Sequence, residues 1–293
     1  MPIDKSSELL EAIGAKGEIL QELLDYTANR FGKNPQIPEV IAEEPFIGAW
    51  KSFIEKVKDQ GIVAALNNNI SHGEEDIVLQ KPEGVKIEIY DSLAGPIPIF
   101  YATDTKDFEE LVIKLIHKGK EFPGIEKTGA SFANGKSTRF IILSNKPYSN
   151  IPAQKLGLED EQWKDFSLII RREHECTHYF TKRFLGSSQN NLHDELIADY
   201  AGMSSAAGEY HADWFLIGMG IDDYPKPQTE GRFSIYTVGL SDEAKDVLKK
   251  ITVKAARNIE KWSKKDENRK LTLREQILFL CSLSLLELYE LKA

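Results

Sequence analysis

One long amphipathic segment constrains this chain more than any other part of its sequence. Residues 159–186, EDEQWKDFSLIIRREHECTHYFTKRFLG, repeat apolar side chains at the three- and four-residue spacing of a helical face. Gly186 at the end of the run is a typical helix stop. The pattern therefore predicts a single long helix with one apolar side.

Two histidines lie four residues apart within that helix, in HECTH, from His174 to His178. Residues at this spacing share one helical face, so both imidazoles can bind the same metal ion. Zinc suits them, because it prefers tetrahedral geometry and binds imidazole nitrogen at about 2.0–2.1 Å. Glu175 lies about 100° further round the helix, where it is poorly placed as a ligand but can reach a water on the metal. The spacing predicts a zinc site with Glu175 as general base.

A catalytic zinc needs a third protein ligand, and the next predicted helix, NLHDELIADYAGMSSAAG, offers one. Glu195 follows His178 by seventeen residues, after a turn at LGSSQNN. Asp199 comes four residues later on the same helical face. Metal-bound histidines usually donate their other N–H to a carboxylate or carbonyl. We therefore predict Glu195 as the third ligand, with Asp199 holding His174 in place.

Two further side chains near the motif are expected to lie away from the metal. Cys176 is two positions from His174 and faces roughly the opposite side of the helix, which predicts a role in the core. His193 is two positions before Glu195 and likewise faces away.

The pattern HExxH followed by ExxxD on the next helix resembles the gluzincin branch of the zinc metallopeptidases, the thermolysin-like arrangement, over residues 170–202. The resemblance implies a zincin-like fold, a small mixed sheet beside the motif helix, and cleavage of peptide bonds. It also implies that two histidines and a later glutamate bind zinc, that the motif glutamate activates water, and that the later aspartate orients a ligand histidine. In this chain these residues are His174, His178, Glu195, Glu175 and Asp199. The metzincin pattern is excluded, because Thr181 and Phe184 stand where it requires glycine and histidine.

The middle of the chain, about residues 84–150, is rich in strand patterns: VKIEIY, PIPIFYA and TRFIILSN. The segment GASFANGKS before the last of these is interpreted as a hairpin or loop turn. In the resembling family an edge strand beside the motif helix pairs with extended substrate, and STRFIILSN is the candidate for that strand by analogy. Helical patterns precede and follow this region, so the predicted fold class is α+β.

Three regions are predicted along the chain. Residues 1–83 form a helical N-terminal region, 84–205 an α+β catalytic region that carries HExxH, and 206–293 a mostly helical C-terminal region; alternatively, all three form one compact unit. The apolar segment from Ile277 is interpreted as a buried C-terminal helix, which Thr272 and Glu275 begin with a capping box. The segment IDDYPKPQTEGRFSIYTVG is predicted to be a loop with a short strand.

A hydrolase of this kind also needs a group that stabilises the oxyanion. The sequence offers four side chains downstream of the zinc ligands and does not choose among them. They are Tyr210, His211, Arg232 and Tyr236.

Composition limits the partners and the compartment. A formal net charge of −9 argues against nucleic acid, which is bound through clustered lysine and arginine. The most apolar segment is too short and too interrupted by Ser and Glu to span a bilayer. Two cysteines give no disulfide framework and no secretory signal is visible, so a cytoplasmic protein is expected.

The predicted function is a zinc-dependent hydrolase, a metallopeptidase that acts on a peptide or protein substrate. The alternative is a catalytically inactive zincin-like protein that serves in binding or regulation. A third hypothesis is that the terminal helices mediate association and the site residues are structural. The sequence leaves the substrate, the cleavage preference and the oligomeric state open.

Overall fold

The computed structural model describes residues 1, 3–33, 35–70, 75–135, 138–187, 189–226 and 231–292, and in them the chain is α+β, as the sequence predicts. The helices are α1 Ile3–Ala12, α2 Glu18–Tyr26, α3 Ile47–Gln60, α4 Ile62–Asn69, α5 Thr105–Leu111, α6 Asp160–Leu185, α7 Leu192–Ala207, α8 Ala212–Met219, α9 Phe233–Tyr236, α10 Asp242–Ser263, α11 Asp266–Arg269, α12 Leu273–Ser282 and α13 Leu285–Tyr289. The strands are β1 Val85–Ser92, β2 Gly95–Ala102, β3 Ala130–Asn134 and β4 Arg139–Ser144.

The chain divides into two compact units, and both differ from the predicted regions. The sheet unit is Gln36–Tyr179, and the helical unit combines Met1–Pro35 with Phe180–Ala293. The predicted regions, 1–83, 84–205 and 206–293, follow local sequence patterns, whereas α2, near the start of the chain, packs with α10, near its end. Local patterns carry no information about such a long-range contact.

The sheet unit is built on a mixed sheet whose described strands run in the order β1-β2-β4-β3. β1 and β2 form an antiparallel hairpin, β4 runs parallel to β2, and β3 pairs antiparallel with β4. The prediction that STRFIILSN supplies an edge strand is therefore wrong, since β4 lies between two neighbours. The reason is that ASFAN, within the segment interpreted as a turn, is itself a strand and covers the free side of β4.

Four aromatic side chains form the core between the sheet and α3. Trp50 and Phe53 of α3 meet edge-on at 5.6 Å between ring centroids, and Trp50 lies 5.7 Å from Phe100 of β2 and 5.2 Å from Phe140 of β4. Tilted and edge-to-face rings of this kind contribute beyond their buried area. This cluster fixes α3 on one face of the sheet.

The helical unit is organised around α10, which packs against α2, α8 and α13. Its apolar stripe, Leu248, Ile251, Ala255 and Ile259, is fully buried. Ser241 caps its first turn, and the carboxylate of Glu22 in α2 accepts hydrogen bonds from both the amide and the hydroxyl of Ser241. The start of α10 is thus tied directly to the N-terminal helices.

Several elements differ in detail from the patterns that predicted them. In the predicted helical N-terminal region, α1 and α2 are separated by Gly14 and Gly17, both at positive φ. The C-terminal apolar segment forms two helices: α12 begins with the predicted capping box, and Ser284 begins α13 with a second one. In the segment predicted as a loop with a short strand, Phe233–Tyr236 forms the single helical turn α9, and residues 227–230 lie outside the described residues.

Among the described residues, no helix combines the length and the apolar character that a membrane crossing requires.

Candidate metal centre

Helix α6 carries HECTH at its centre and has favourable charges at both ends. Asp160 and Glu161 lie in its first turn, and Lys182 and Arg183 lie in its last. These signs oppose the partial charges of the helix dipole and stabilise both ends. The helix ends at Gly186, which adopts the left-handed backbone (φ 68°) expected of such a stop. The long helix predicted over these residues is confirmed.

The two histidines are buried and point their rings at one another. Their ring centroids are 4.7 Å apart and nearly perpendicular, and their Nε2 atoms are 3.0 Å apart. Two nitrogens bound to one tetrahedral zinc at about 2.0–2.1 Å would be separated by about 3.3 Å. The Nε2 atoms of His174 and His178 therefore stand close to the spacing of a shared ligand pair.

Tyr148, which no sequence motif indicated, provides a further contact of His174. Its hydroxyl lies 3.0 Å from Nδ1 of that ring. When Nδ1 carries the proton it donates to the Tyr148 oxygen, which leaves the lone pair of Nε2 for a metal. The sequence predicts Asp199 in this orienting role, and that assignment stays a prediction.

The segment after β4 holds Tyr148 in position. Arg171 of α6 donates to the carbonyl oxygens of Ser144 and Lys146 at 3.0 and 2.9 Å. The amide of Tyr148 donates to the hydroxyl of Ser167, also on α6, at 2.9 Å. Because these contacts come from the helix that carries His174, the tyrosine and the histidine are held on one rigid scaffold.

Glu195 lies in the first turn of α7, and the local sequence explains why that helix starts where it does. The side chain of Asn191 caps it by accepting from the amides of His193 and Asp194. The hydroxyl of Tyr26 accepts a further hydrogen bond from the amide of Leu192 at 3.0 Å. Every residue from Leu192 to Met203 is buried, so the carboxylate of Glu195 lies in the interior.

His174, His178 and Glu195, the three predicted ligands, come together. Each offers one potential ligand atom, and these atoms all lie within 4.8 Å of one another. All three residues are buried. Two imidazoles and a carboxylate form a donor set typical of zinc.

Arg232 bridges the two carboxylates of α7. Its guanidinium nitrogens lie 3.2 Å from Oε2 of Glu195 and 2.5 Å from Oδ2 of Asp199. Both carboxylates are almost completely buried, and buried charges require such compensation. Asp199 therefore contacts Arg232, and one guanidinium group pairs with the carboxylates of both Glu195 and Asp199.

Arg232 is one of the four residues considered for oxyanion stabilisation, and the other three have different surroundings. Burial and the carboxylate of Glu195 raise the pKa of the Tyr236 phenol well above its usual value. Tyr210 is fully buried against Tyr200, and burial likewise raises its pKa. His211 stacks on Trp214 at 4.2 Å. Arg232 and Tyr236 are thus the two that the structure associates with Glu195.

Glu175 and Glu173 have opposite environments on the same helix. Glu173 is buried, accepts a hydrogen bond from the hydroxyl of Tyr90 at 2.6 Å, and forms an ion pair with Arg172. Glu175 is partly exposed and, within the described part of the chain, forms no hydrogen bond and no ion pair. Its carboxylate is therefore available to a substrate or to water.

The remaining two side chains near the motif lie in the core. Cys176 is completely buried, as predicted, and burial raises the pKa of its thiol well above the usual value. His193 packs its ring edge-on against Phe31 at 5.1 Å, and burial lowers its pKa to about 4. A neutral, buried imidazole of this kind is a packing residue at physiological pH.

Comparison with known proteins adds a family and no activity. The model of a family of unknown function (DUF7005) matches residues 68–139 and 137–293, and the second segment contains all five site residues. Neither the curated proteins nor the solved structures gave a match.

Proposed function

This chain belongs to DUF7005, a family of unknown function, and we propose from the site itself that it is a zinc-dependent hydrolase, a metallopeptidase of gluzincin type. The observation that carries the proposal is the buried group of His174, His178 and Glu195, together with Glu175 on the same helix as the histidines, whose carboxylate forms no ion pair or hydrogen bond with any described residue. Three protein ligands of this kind and a neighbouring general base are the parts that metal-assisted hydrolysis requires.

The residues present fit a zinc ion. The donor set is the one that zinc prefers, and the two Nε2 atoms stand near the required spacing. The hydroxyl of Tyr148 can accept a hydrogen bond from a protonated Nδ1, the tautomer in which Nε2 of His174 is free to bind a metal. Sheet residues also contact α6, through Tyr90 of β1 and Phe132 of β3, which agrees with a zincin-like arrangement of motif helix and sheet.

Each residue has a distinct task in the proposed reaction. A zinc ion held by the three ligands would act as a Lewis acid and bring the pKa of its water towards about 7. Glu175 accepts the proton of the attacking water and passes it to the leaving amine. Arg232, a permanent cation beside Glu195, and Tyr236, whose phenol stays protonated, are the groups best suited to stabilise negative charge on the carbonyl oxygen.

Metal content tests the proposal first. The protein is purified without added metal and analysed for bound elements beside His178→Ala and a matched control, His211→Ala, whose histidine stacks on Trp214. We expect about one zinc per chain in the wild type and in the control, and loss of the metal in His178→Ala, because two ligands hold zinc far more weakly than three. Turnover is then sought with a peptide library.

Two outcomes would contradict the proposal in different ways. Equal zinc content in His178→Ala and the wild type would remove the site assignment. Stoichiometric zinc without turnover of any peptide would retain the metal site and leave the inactive, regulatory alternative in place of the peptidase.

A further inference from the structure

One pocket lies entirely within the sheet unit and takes no part in the proposed zinc chemistry. It is a cavity of about 630 Å³, bounded by α3, the end of α4, the segment after α5 and the start of β4. Small-molecule sites typically have volumes of about 300–1,000 Å³. The pocket is thus large enough for an organic ligand. We call it the lysine-rimmed pocket.

The interior of this pocket is apolar and largely aromatic. Trp50, Phe53 and Phe140 line it, and these are three of the four rings of the core cluster described above. Ile70 and Leu115 add aliphatic surface. Rings already fixed in edge-on contact present a rigid surface against which a further aromatic ring can pack at little entropic cost.

The rim carries positive charge. Lys56, Lys114 and Lys118 all line the pocket. Lys114 forms an ion pair with Glu75, whereas the hydrogen-bond partner of Lys56 is the neutral side chain of Asn69. Lys118 is exposed and, among the described residues, has no carboxylate within ion-pair distance. Within the described part of the chain, two of the three ammonium groups therefore have no compensating carboxylate, although the whole sequence has a net charge of −9.

We propose that the lysine-rimmed pocket binds a small aromatic carboxylate, with its ring against Trp50, Phe53 and Phe140 and its carboxylate between Lys56 and Lys118. An apolar interior with a few convergent charges at the mouth is the usual construction of a site for an amphipathic ligand. The charge complementarity selects an anion over a neutral analogue, and the rigid rings select an aromatic body over a flexible chain.

Calorimetric titration with 1-naphthoate, beside the neutral 1-naphthalenemethanol, tests the proposal. Because a carboxylate also binds zinc, the titration uses His178→Ala as well as the wild type, and the affinity for naphthoate must be the same in both. We expect one site per chain that prefers the anion. The double variant Lys56→Gln/Lys118→Gln should weaken naphthoate binding by about tenfold and leave the alcohol unaffected.

Two matched variants complete the experiment. Lys245→Gln/Lys249→Gln removes two lysines of α10, outside the pocket, and should not change naphthoate binding. Ala49→Leu enlarges an exposed residue that lines the pocket and should abolish binding of both compounds without unfolding the protein. The proposal fails if the two compounds bind equally, if Ala49→Leu binds as the wild type does, if naphthoate binding requires the metal site, or if no saturable binding occurs.

Discussion

Glu175 and Glu173 provide a controlled comparison on one helix. Replacing Glu175 with Gln keeps the shape of the side chain and removes its basicity, so the proposed proton transfer is lost while the three zinc ligands remain. We expect unchanged zinc content and a fall in peptide turnover of at least about 100-fold, the usual size of a general-base contribution. Turnover of the variant at the wild-type rate would rule out Glu175 as the base.

Glu173→Gln is the matched control for that measurement. Its carboxylate is held by Tyr90 and Arg172, so the substitution weakens a charge-assisted network on the sheet side of α6. We expect a loss of unfolding free energy of about 1–2 kcal/mol, with zinc content and turnover retained. The two variants would thus distinguish an effect on peptide turnover from an effect on the stability of the fold.

Tyr148 would influence the proposed metal through its contact with His174. In Tyr148→Phe the hydroxyl at Nδ1 is lost, and with it an acceptor for the proton of Nδ1 in the metal-binding tautomer. We expect zinc affinity to fall by about 10- to 100-fold, the typical effect of removing such a supporting partner. Competition with a chelator measures it. Tyr200→Phe, which loses a hydrogen bond to Gln276, is the control and should keep the wild-type affinity.

At the scale of single residues, the approach of the two histidines was predictable because its geometry is local. The four-residue spacing of His174 and His178 is fixed by the helix itself, and Glu195 follows on the next helix. Tyr148 was not predictable, since it reaches His174 across 26 residues from an irregular segment and belongs to no motif. Arg232 was one of four candidates, and only the folded chain brings its guanidinium to Glu195 and Asp199.

At the scale of elements, strong periodicity predicted that a helix or strand exists and which of the two it is. The pairing of strands and the interruption of helices depended on other parts of the chain. α6 and the capping box of α12 followed directly from the sequence. β4 was recognised as a strand, but its internal place in the sheet depends on β3, whose five residues resemble a polar turn. In the N-terminal run the apolar spacing continues across Gly14 and Gly17, and spacing alone does not reveal where positive φ interrupts a helix.

At the scale of the whole molecule, the helical unit is discontinuous in sequence, and this has a consequence for the proposed metal site. Two side chains of α2 contact the starts of later helices. Tyr26 accepts a hydrogen bond from the amide of Leu192 at the start of α7, and Glu22 binds Ser241 at the start of α10. Glu195 lies one turn into α7. The N-terminal helices therefore support the element that carries the third proposed ligand, although they are more than 160 residues away in sequence.

Deleting residues 1–33 tests this dependence. Removal of α1 and α2 uncovers the apolar stripe of α10 and leaves the amide of Leu192 without the Tyr26 hydroxyl. We expect hydrogen exchange at α7 and α10 to accelerate by more than about tenfold and zinc affinity to fall, because local stability is set by the contacts within each cooperative unit. Amides of β1, β2 and β4 should keep their protection, since the sheet unit is one continuous segment with its own aromatic core. Tyr26→Phe should give a smaller change of the same kind. Equal loss of protection in both units would instead mean that the chain unfolds as one cooperative body, and unchanged exchange in α7 would mean that the N-terminal helices do not support the proposed metal site.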